Sequence, residues 1–303
     1  MRFQQLPGLD GRGYIGRIFR SKHAPNRQLL VNAEAVVFDR CNQYDQALEG
    51  MRTLQRREWD EEIKSALQSC YDGSTIPLNE LKDGILEELR SQAEINLQRC
   101  AYCMLNEPAT WDHYLPKTWF PEFSAYHANL VYVCFGCNNR KHDDFNDRDL
   151  IYCHPYYTVI NDVAILHCVV SVIDDRLSID YYCAAEGEHE EAGRIAQQHL
   201  TLLGLGARFK SEAASLVGGL IGELRTSFPN GVSEHVLAVL LRAKYAEAQA
   251  HLGVNAWDAR LWHGLNQCAD FIVYLNNRIA NDAAPSAAGF DEPAPRRPMD
   301  LVV

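Results

Sequence analysis

The spacing of apolar and polar residues predicts a protein built mostly from helices. In the first third of the chain the pattern predicts two helices, near residues 46–71 and 78–98, with Asn79 as a candidate N-cap of the second. Residues 1–45 hold several glycines and a proline around one short apolar run, so an irregular conformation is expected there. The second helix would lead directly into Cys100.

The last part of the chain combines a predicted β-hairpin with a long helical region. Residues 163–173 and 177–183 have the composition of strands and flank the pair Asp174-Asp175, which predicts a hairpin turning there. From about residue 191 to residue 280 the pattern is helical, with breaks at three glycine-containing segments. The predicted fold class is therefore α+β, mostly helical.

Two further stretches complete the predicted organisation. Between about residues 100 and 145, cysteines, histidines and prolines crowd into loops and short strands, whereas residues 282–303 are rich in alanine and proline and are expected to be disordered. Four parts follow in order: an N-terminal arm and helical region (1–98), a central metal module (99–155), the hairpin with C-terminal helices (156–281) and the tail (282–303).

Composition and charge restrict the classes of protein to which the chain can belong. It has 303 residues, 47% of them hydrophobic, which allows a sizeable core, but no apolar run long enough to span a membrane and no apolar leader. A cytoplasmic protein without membrane contact is expected. The net charge of −11 argues against a protein that coats nucleic acid, although residues 1–30 carry six basic side chains and one acidic one. That basic arm either contacts phosphate or an acidic partner, or is a solvated segment.

The cysteines give the strongest local signal. Ten cysteines in a reducing compartment indicate metal or redox chemistry rather than a disulfide framework. Four of them form two CxxC pairs separated by 30 residues: Cys100, Cys103, Cys134 and Cys137. Two such turns can supply the four thiolates of a closed, structural zinc site, the alternative being four unrelated core cysteines. The others show no ligand spacing and are predicted to be buried apolar residues: Cys41, Cys70, Cys153, Cys168, Cys183 and Cys268.

Polar residues with the chemistry of a catalytic site lie between and just after these cysteines. Asp112 and His113 come first, and Asn129 leads into a short strand of alternating character. Asn138 and His142 are four residues apart at the start of a predicted helix, so their side chains share one face. The segment is expected to run strand, loop, strand, helix, and to bring a carboxylate, an amide and two imidazoles close to the zinc.

This segment resembles the HNH (ββα-metal) endonuclease family, in its subgroup with two zinc knuckles. The family pattern is a DH pair and a proline, then an asparagine leading a strand into CxxCN, and a lysine three residues on. The matching residues are Asp112-His113, Pro116, Asn129-Leu130, Cys134, Cys137-Asn138 and Lys141. The third signature position holds asparagine rather than histidine, as the family often shows. The stretch from Asp112 to Val131 further resembles the HNH subunits of bacterial anti-phage systems of the Septu and retron-associated kind.

The resemblance implies a metal-dependent endonuclease that hydrolyses phosphodiester bonds in DNA, or also RNA, and leaves 5′-phosphate and 3′-hydroxyl ends. His113 would be the general base. Asp112 and Asn138 would bind one Mg²⁺ or Mn²⁺, with Ni²⁺ also compatible and His142 as a third ligand. Asn129 would be structural and would pin the loop that presents the base.

The resemblance also implies contacts with substrate and partners. Three basic residues would contact phosphate groups: Lys117, Arg140 and Lys141. The finer resemblance implies an effector of anti-phage defence, with an ATPase as the expected partner. The negative net charge of the chain is better suited to docking such a partner protein than to wrapping DNA.

Every one of these residues also has a structural interpretation. His113 would then be a hydrogen-bonded structural histidine, and His142, Arg140 and Lys141 solvated helix residues. His154 either approaches the site from outside or, as we expect, is a structural residue in a turn. A group of aromatic residues is expected to form the core of the module rather than a stacking platform for bases: Trp111, Tyr114, Trp119, Phe120 and Phe123. The alternative function is a non-catalytic zinc-knuckle module that binds nucleic acid or protein.

Overall fold

A computed structural model of the protein describes residues 4–158 and 162–281. Within these residues the fold is mostly helical α+β with two small antiparallel sheets, which confirms the predicted class. The helices are α1 (Gly11–Ser21), α2 (Asn26–Glu49), α3 (Glu61–Asp72), α4 (Ile76–Gln92), α5 (Ile95–Gln98), α6 (Phe135–Lys141), α7 (Glu190–Leu202), α8 (Leu205–Ser227), α9 (Glu234–Leu252), α10 (Trp257–Gln267) and α11 (Phe271–Asn281). The strands are β1 (Thr110–His113), β2 (Leu130–Val133), β3 (Leu166–Ile173) and β4 (Arg176–Cys183).

The N-terminal region is helical, so the prediction of an irregular segment over residues 1–45 was wrong. α1 begins after Asp10, whose side chain accepts a hydrogen bond from the Gly13 amide at 2.9 Å. α2 begins after Pro25, whose restricted φ suits the start of a helix. Along α2 one buried residue recurs every three or four positions between Leu30 and Leu48. The breaker residues therefore mark where helices begin and do not form an extended loop.

The prediction of a single helix over residues 46–71 was also wrong. That span contains the end of α2, a loop and most of α3. α2 ends at Glu49, and Met51 follows with a φ of 49°, a left-handed conformation that a right-handed helix cannot continue through. The apolar residues of this loop pack on the core although the segment is extended. Their spacing in the sequence resembles that of a helix, so periodicity alone did not distinguish the two conformations.

The helix predicted over residues 78–98 exists in two pieces. α4 begins after Thr75, which is the N-cap in place of Asn79, and it carries proline in its first turn. It ends at Gln92, and the short α5 continues the chain toward Cys100 after a break.

The central segment forms the predicted strand, loop, strand and helix. β1 and β2 pair antiparallel, with Thr110 opposite Val133 and His113 opposite Leu130. α6 follows β2 directly and packs against β1. Because neighbouring strand residues point to opposite faces, Asp112 lies buried beneath the sheet while His113 is only half-buried.

The second sheet is the predicted hairpin of β3 and β4. Asp174 and Asp175 form its two-residue turn, with φ values of 50° and 57° that match a type I′ turn. α10 packs on β3, where a Cβ at Gly264 would lie 2.6 Å from the carbonyl oxygen of Cys168. α7 and α8 pack on β4, and the helix breaks at the three glycine-containing segments occur as predicted.

Buried hydrophobic residues from all the described parts of the chain belong to one continuous cluster. A buried ion pair between Arg40 of α2 and Glu122, in the loop between β1 and β2, joins the N-terminal helices to the central segment at 2.9 Å. No described helix has both the length and the apolar character needed to cross a membrane. The tail predicted for residues 282–303 lies outside the described residues.

Candidate metal centre and adjoining cleft

The four cysteines of the two CxxC pairs meet in one buried cluster. Their Sγ atoms all lie within 4.8 Å of one another, and those of Cys103 and Cys134 are 3.9 Å apart. A zinc ion with Zn–S bonds of about 2.3 Å places its tetrahedral ligands about 3.8 Å apart, so this geometry fits zinc. All four side chains are at most 3% exposed. The cluster therefore matches a closed structural site that ties the segment before β1 to the start of α6.

One cation completes the surroundings of the cluster. The Arg208 guanidinium of α8 donates a hydrogen bond from Nη1 to the Cys137 sulfur at 3.3 Å. Four thiolates around Zn²⁺ carry a net negative charge, which a nearby guanidinium offsets. The remaining cysteines are buried, apart from half-buried Cys268, in keeping with their predicted apolar role.

His113 lies at the end of β1 and faces a cleft. Its Nε2 lies 2.9 Å from the Ser124 carbonyl oxygen, which can only accept, so Nε2 carries the proton and Nδ1 is the acceptor atom. Burial is the main cause that lowers the pKa of His113 to about 4. Repulsion from Lys117, Lys141 and Lys82 adds to it and the hydrogen bond to Ser124 opposes it, so the ring is neutral at pH 7. The geometry and charge of the ring suit an acceptor of protons.

Two residues from the N-terminal helices complete the surroundings of His113. The Tyr71 ring of α3 packs edge-on against the imidazole, with 4.4 Å between ring centroids. The Lys82 ammonium of α4 lies 4.1 Å from the centre of the Tyr71 ring and has no carboxylate partner in the described part of the chain. Burial lowers the pKa of Lys82. An available cation therefore lies beside the candidate base.

Asp112 is buried and already holds two partners. Its carboxylate accepts a hydrogen bond from the Tyr102 hydroxyl at 2.6 Å and pairs with the Lys141 ammonium at 3.0 Å. Burial raises the pKa of Asp112, although Lys141 and Tyr102 oppose that rise. Tyr102 stands between the two cysteines of the first knuckle, so this network links the zinc cluster to β1.

Lys141 was interpreted from sequence as a phosphate contact, and its placement contradicts that interpretation. Its side chain is completely buried, and Nζ also donates to the His113 carbonyl oxygen at 2.9 Å. An ammonium group enclosed in this way and bonded to Asp112 is not available to a phosphate. Helical spacing alone could not show whether Lys141, at the end of α6, is buried or exposed to solvent.

Asn129 pins the loop between β1 and β2, as the resemblance implied. It is fully buried, and its amide donates to the carbonyl oxygens of Leu115 and Phe123 at 3.0 and 3.2 Å. Its Oδ1 accepts from the Leu115 amide at 2.7 Å and from the Tyr44 hydroxyl at 3.2 Å. The loop that carries the Ser124 carbonyl is thereby held in one conformation.

Of the other predicted site residues, Asn138, His142 and Lys117 line the cleft, whereas Arg140 does not. Asn138 is half-buried, and its Oδ1 accepts no hydrogen bond within the described part of the chain. The His142 side chain is 77% exposed at the end of α6, where the backbone turns with a φ of 46°. Arg140 is exposed, and Lys117 is partly exposed and paired with Asp72.

The cleft has a volume of about 610 Å³ and brings most of the predicted residues together. Its lining includes Asp112, His113, Lys117, Asn138 and His142. A carboxylate, an amide oxygen and an imidazole are donors that suit a hard or borderline divalent cation. Asp112, Asn138 and His142 therefore fit such an ion by donor type. The Asp112 carboxylate would interact with both the metal and Lys141.

The aromatic residues and His154 have mostly structural roles. Tyr114, Phe120 and Phe123 are buried in the core, as expected, whereas Trp119 is 45% exposed. His154 is fully buried away from the cleft, where its Nε2 lies 2.9 Å from the Tyr44 hydroxyl.

Several site residues were not predicted from sequence. Tyr71 and Lys82 come from distant helices, and no local pattern marks them. Tyr102 could have been found, because a tyrosine inside a zinc knuckle is held close to whatever the knuckle packs on. The unpredicted residues around the cluster and cleft are Tyr71, Lys82, Tyr102, Ser124 and Arg208.

Comparison with known proteins gives one distant likeness. The chain matches no family model and no solved structure. Over 137 residues it is 28% identical to Protein ea31 of Escherichia phage lambda. The aligned part covers 43% of this chain and 46% of the phage protein, so the match spans less than half of either. This likeness points to a phage-encoded relative and assigns no activity.

Proposed function

We propose that the protein is a metal-dependent endonuclease of the HNH type, which hydrolyses phosphodiester bonds in DNA or RNA. The observation that carries the proposal is the state of His113. Its ring is neutral, oriented by the Ser124 carbonyl, and leaves Nδ1 as the acceptor in a cleft beside α6. A histidine that served only structure would have no need of a cleft at its second nitrogen.

The chemistry follows from that orientation. His113 Nδ1 removes a proton from a water molecule as the water oxygen attacks the scissile phosphorus. The bond from phosphorus to the 3′ oxygen breaks, and that oxygen takes a proton from solvent, which leaves 5′-phosphate and 3′-hydroxyl ends. The positive charge that His113 gains in this step is transient, and its ring returns the proton to solvent.

The cations near His113 support the binding of a phosphate. Lys82 and Lys117 both lie close enough to lower the pKa of His113 by repulsion. Lys117 is paired with Asp72, and Asp112 and Asp143 also line the cleft. Lys82, which has no carboxylate partner in the described part of the chain, is therefore the cation best placed to attract a phosphate. Arg140 is exposed but does not line the cleft, and its guanidinium lies near Gly204.

Asp112, Asn138 and His142 would hold one divalent cation, Mg²⁺ or Mn²⁺ by donor type with Ni²⁺ also compatible. When bound, the ion supplies charge stabilisation to the phosphate and to the leaving oxygen. Because Lys141 already balances the charge of Asp112, we expect weak metal binding that needs a high concentration of the ion.

A second candidate function is a zinc module that binds without cutting. The observation that favours it is the buried network of Tyr102, Asp112 and Lys141, which gives Asp112 a purely structural use. In that case His113 would serve only to brace the loop through Ser124.

Cleavage assays separate the two functions. Zinc-loaded protein would be incubated with supercoiled plasmid, single-stranded DNA and RNA, in EDTA-free buffer alone and with Mg²⁺, Mn²⁺ or Ni²⁺. The proposal expects metal-dependent cleavage with 5′-phosphate ends that DNA ligase can rejoin. Absence of cleavage with every metal, alone and with the product of the neighbouring gene, would contradict it and favour the binding module.

We also propose a role in anti-phage defence with an ATPase partner. This proposal is supported by the resemblance of the stretch from Asp112 to Val131 to the HNH subunits of such systems. Expression with and without the neighbouring genes, followed by phage plating, tests it. A lowered plating efficiency that depends on His113 is expected, and equal plating on all strains would contradict it.

A further inference from the structure

Two exposed aromatic side chains flank the candidate cleft. Within the described residues four aromatic rings are exposed, namely Trp119 (45%), Phe135 (68%), Tyr182 (43%) and Phe228 (38%). Phe135 lines the cleft itself, and Trp119 follows two residues after Lys117, which also lines it. Both rings present flat apolar surface on which a ligand can stack.

Phe135 lies on a backbone that the knuckle holds in place, and its ring has no partner ring. It lies between Cys134 and Cys137 of the second knuckle, whose backbone is closed by a hydrogen bond from the Cys137 amide to the Cys134 carbonyl at 3.1 Å. In the described part of the chain no other aromatic ring or cation stacks on it. Both faces of the ring are therefore open to a flat ligand.

Trp119 belongs to a second cavity next to the cleft. That cavity has a volume of about 580 Å³, and its lining includes Arg56, Arg57, Trp59 and Thr118. The guanidinium of Arg56 lies 4.8 Å from the centre of the Trp119 ring, and that of Arg57 lies 4.9 Å from the Trp59 ring. Since the adjacent residues 117 and 118 line the cleft and the cavity respectively, the two recesses adjoin.

Aromatic rings beside guanidinium groups suit a nucleic acid strand with exposed bases. Arg57 has no acidic partner among the residues that the structure describes, although Arg56 also pairs with Asp147. Base stacking on aromatic side chains requires the face of the base to be free, which holds in a single strand and not inside a paired helix. A strongly acidic chain is also poorly suited to wrap a duplex through its phosphates.

We propose that the substrate of this cleft is a single-stranded or locally unpaired nucleic acid, with bases stacked on Phe135 in the cleft and on Trp119 in the second cavity. The inference rests on the proposed function for the identity of the cleft. It adds the strandedness of the substrate and two residues that select it. DNA and RNA share the stacking chemistry, and the experiment separates them.

Binding is measured apart from cleavage, on protein that carries His113→Ala. Fluorescein-labelled single strands of about 20 nucleotides, longer than a typical binding site, are compared as DNA, as RNA and as a duplex of the same sequence. We expect both single strands to bind more tightly than the duplex. Adding Phe135→Ala or Trp119→Ala should weaken single-strand binding about 5- to 100-fold, the range that stacking of one base is worth by alanine substitution.

Two matched variants make the result interpretable. Phe228→Ala removes a ring of similar exposure far along the chain and should leave binding unchanged. Phe135→Tyr keeps a stacking face and should retain binding, which distinguishes stacking from damage to the knuckle. Zinc content and circular dichroism are compared for every variant.

Equal or tighter binding of the duplex, no detectable binding of any probe, or unchanged binding in both alanine variants would overturn the inference. The proposed function can fail separately. Single-strand binding that needs Phe135, without cleavage by the wild-type protein under any metal, would contradict the nuclease and leave this inference standing. Cleavage of duplex DNA that does not change in the Phe135→Ala and Trp119→Ala variants would support the nuclease and contradict this inference.

Discussion

At the residue scale, the neighbours of each polar side chain near β1 decide what that side chain can do. His113 and Asp112 are adjacent in sequence and both line the cleft, yet His113 is half-buried whereas the carboxylate of Asp112 is buried against Tyr102 and Lys141. Burial lowers the pKa of His113 and raises that of Asp112, so burial favours the neutral form of each. Lys141 opposes this at Asp112 by supplying a buried positive charge at 3.0 Å. The pairing is therefore central to the stability of the strand.

Removing one member of the Asp112–Lys141 pair should destabilise the fold. Asp112→Asn leaves a buried ammonium without its counter-charge, so we expect the free energy of unfolding to fall by about 3–5 kcal/mol. The double variant Asp112→Asn, Lys141→Met should lose less, because no buried charge remains. Urea denaturation measures both. Asp180→Asn is the control, since its ion pair with Lys210 is exposed and should contribute at most about 1 kcal/mol. If Asp112→Asn and Asp180→Asn lowered the free energy of unfolding equally, the buried pair would contribute no more to stability than the exposed one.

His154 gives the fold a dependence on pH. Burial lowers its pKa well below the ordinary value of 6.5, so the folded protein holds this ring neutral. Below pH 6.5 the unfolded chain binds a proton here that the folded chain does not, and the free energy of unfolding must fall as pH falls. Above pH 7 the ring is neutral in both the folded and the unfolded chain, so His154 no longer lowers the free energy of unfolding.

Substitution of His154 tests that dependence. Denaturation at pH 7.5, 6.5 and 5.5 should show wild-type stability falling toward acid. His154→Gln, which keeps a donor toward Tyr44, should lower stability at pH 7.5 but flatten the slope by up to about 1.4 kcal/mol per pH unit. His251→Gln at an exposed position should keep the wild-type slope. If His154→Gln also kept it, the pH dependence would have to come from other groups.

At the scale of elements, the zinc knuckles and Asn129 hold β1, β2 and α6 in register. The four cysteines and the strand–loop–strand–helix order could be predicted from sequence, because they depend on short spacings within one segment. The pinning role of Asn129 was implied by the family resemblance. Lys141 could not be assigned correctly, because helical spacing does not say which face of a short helix is buried. The hairpin turn at Asp174-Asp175 was predictable from composition alone.

Loss of one knuckle thiolate should unfold this arrangement. Cys134→Ser leaves three thiolates, so zinc content should fall well below one ion per chain. Structural zinc sites contribute about 10 kcal/mol or more in small domains, so cooperative unfolding should be lost or strongly weakened. Metal analysis and thermal denaturation by circular dichroism give the two readouts. Cys268→Ser, outside the cluster, should retain both zinc and cooperativity, and a Cys134→Ser protein that did the same would refute a structural zinc site.

At the scale of the molecule, the central segment is built into the helices on either side. Glu122 has a fully buried side chain that bonds to Arg40 of α2 and to the Trp59 indole, and His199 of α7 lies 3.1 Å from the Tyr102 carbonyl. Sequence patterns did not predict these ties, since each joins residues far apart in the chain. For the same reason the sequence did not place Tyr71 and Lys82 beside His113, although the family resemblance singled out His113 as the candidate base.

The segment of residues 99–155 should therefore not hold its native structure when excised. It would bind zinc through its own cysteines but would leave Glu122 and Asn129 without their buried partners from α2. We expect a poorly dispersed amide spectrum by NMR in the presence of zinc, beside a well-dispersed spectrum for the whole chain. A well-dispersed spectrum for the excised segment would show that the flanking helices are dispensable for folding.

The most direct test of the whole account is the rate of cleavage by His113→Ala protein. The rate would be measured under single-turnover conditions with the metal that best supports the wild-type protein. His235→Ala, at an exposed site on α9, serves as the control. Loss of a general base should slow cleavage about 100-fold or more, with zinc content and folding unchanged, while His235→Ala cleaves at the wild-type rate. Equal rates for all three proteins would contradict the assignment of His113 as the base and, with it, the proposed active site.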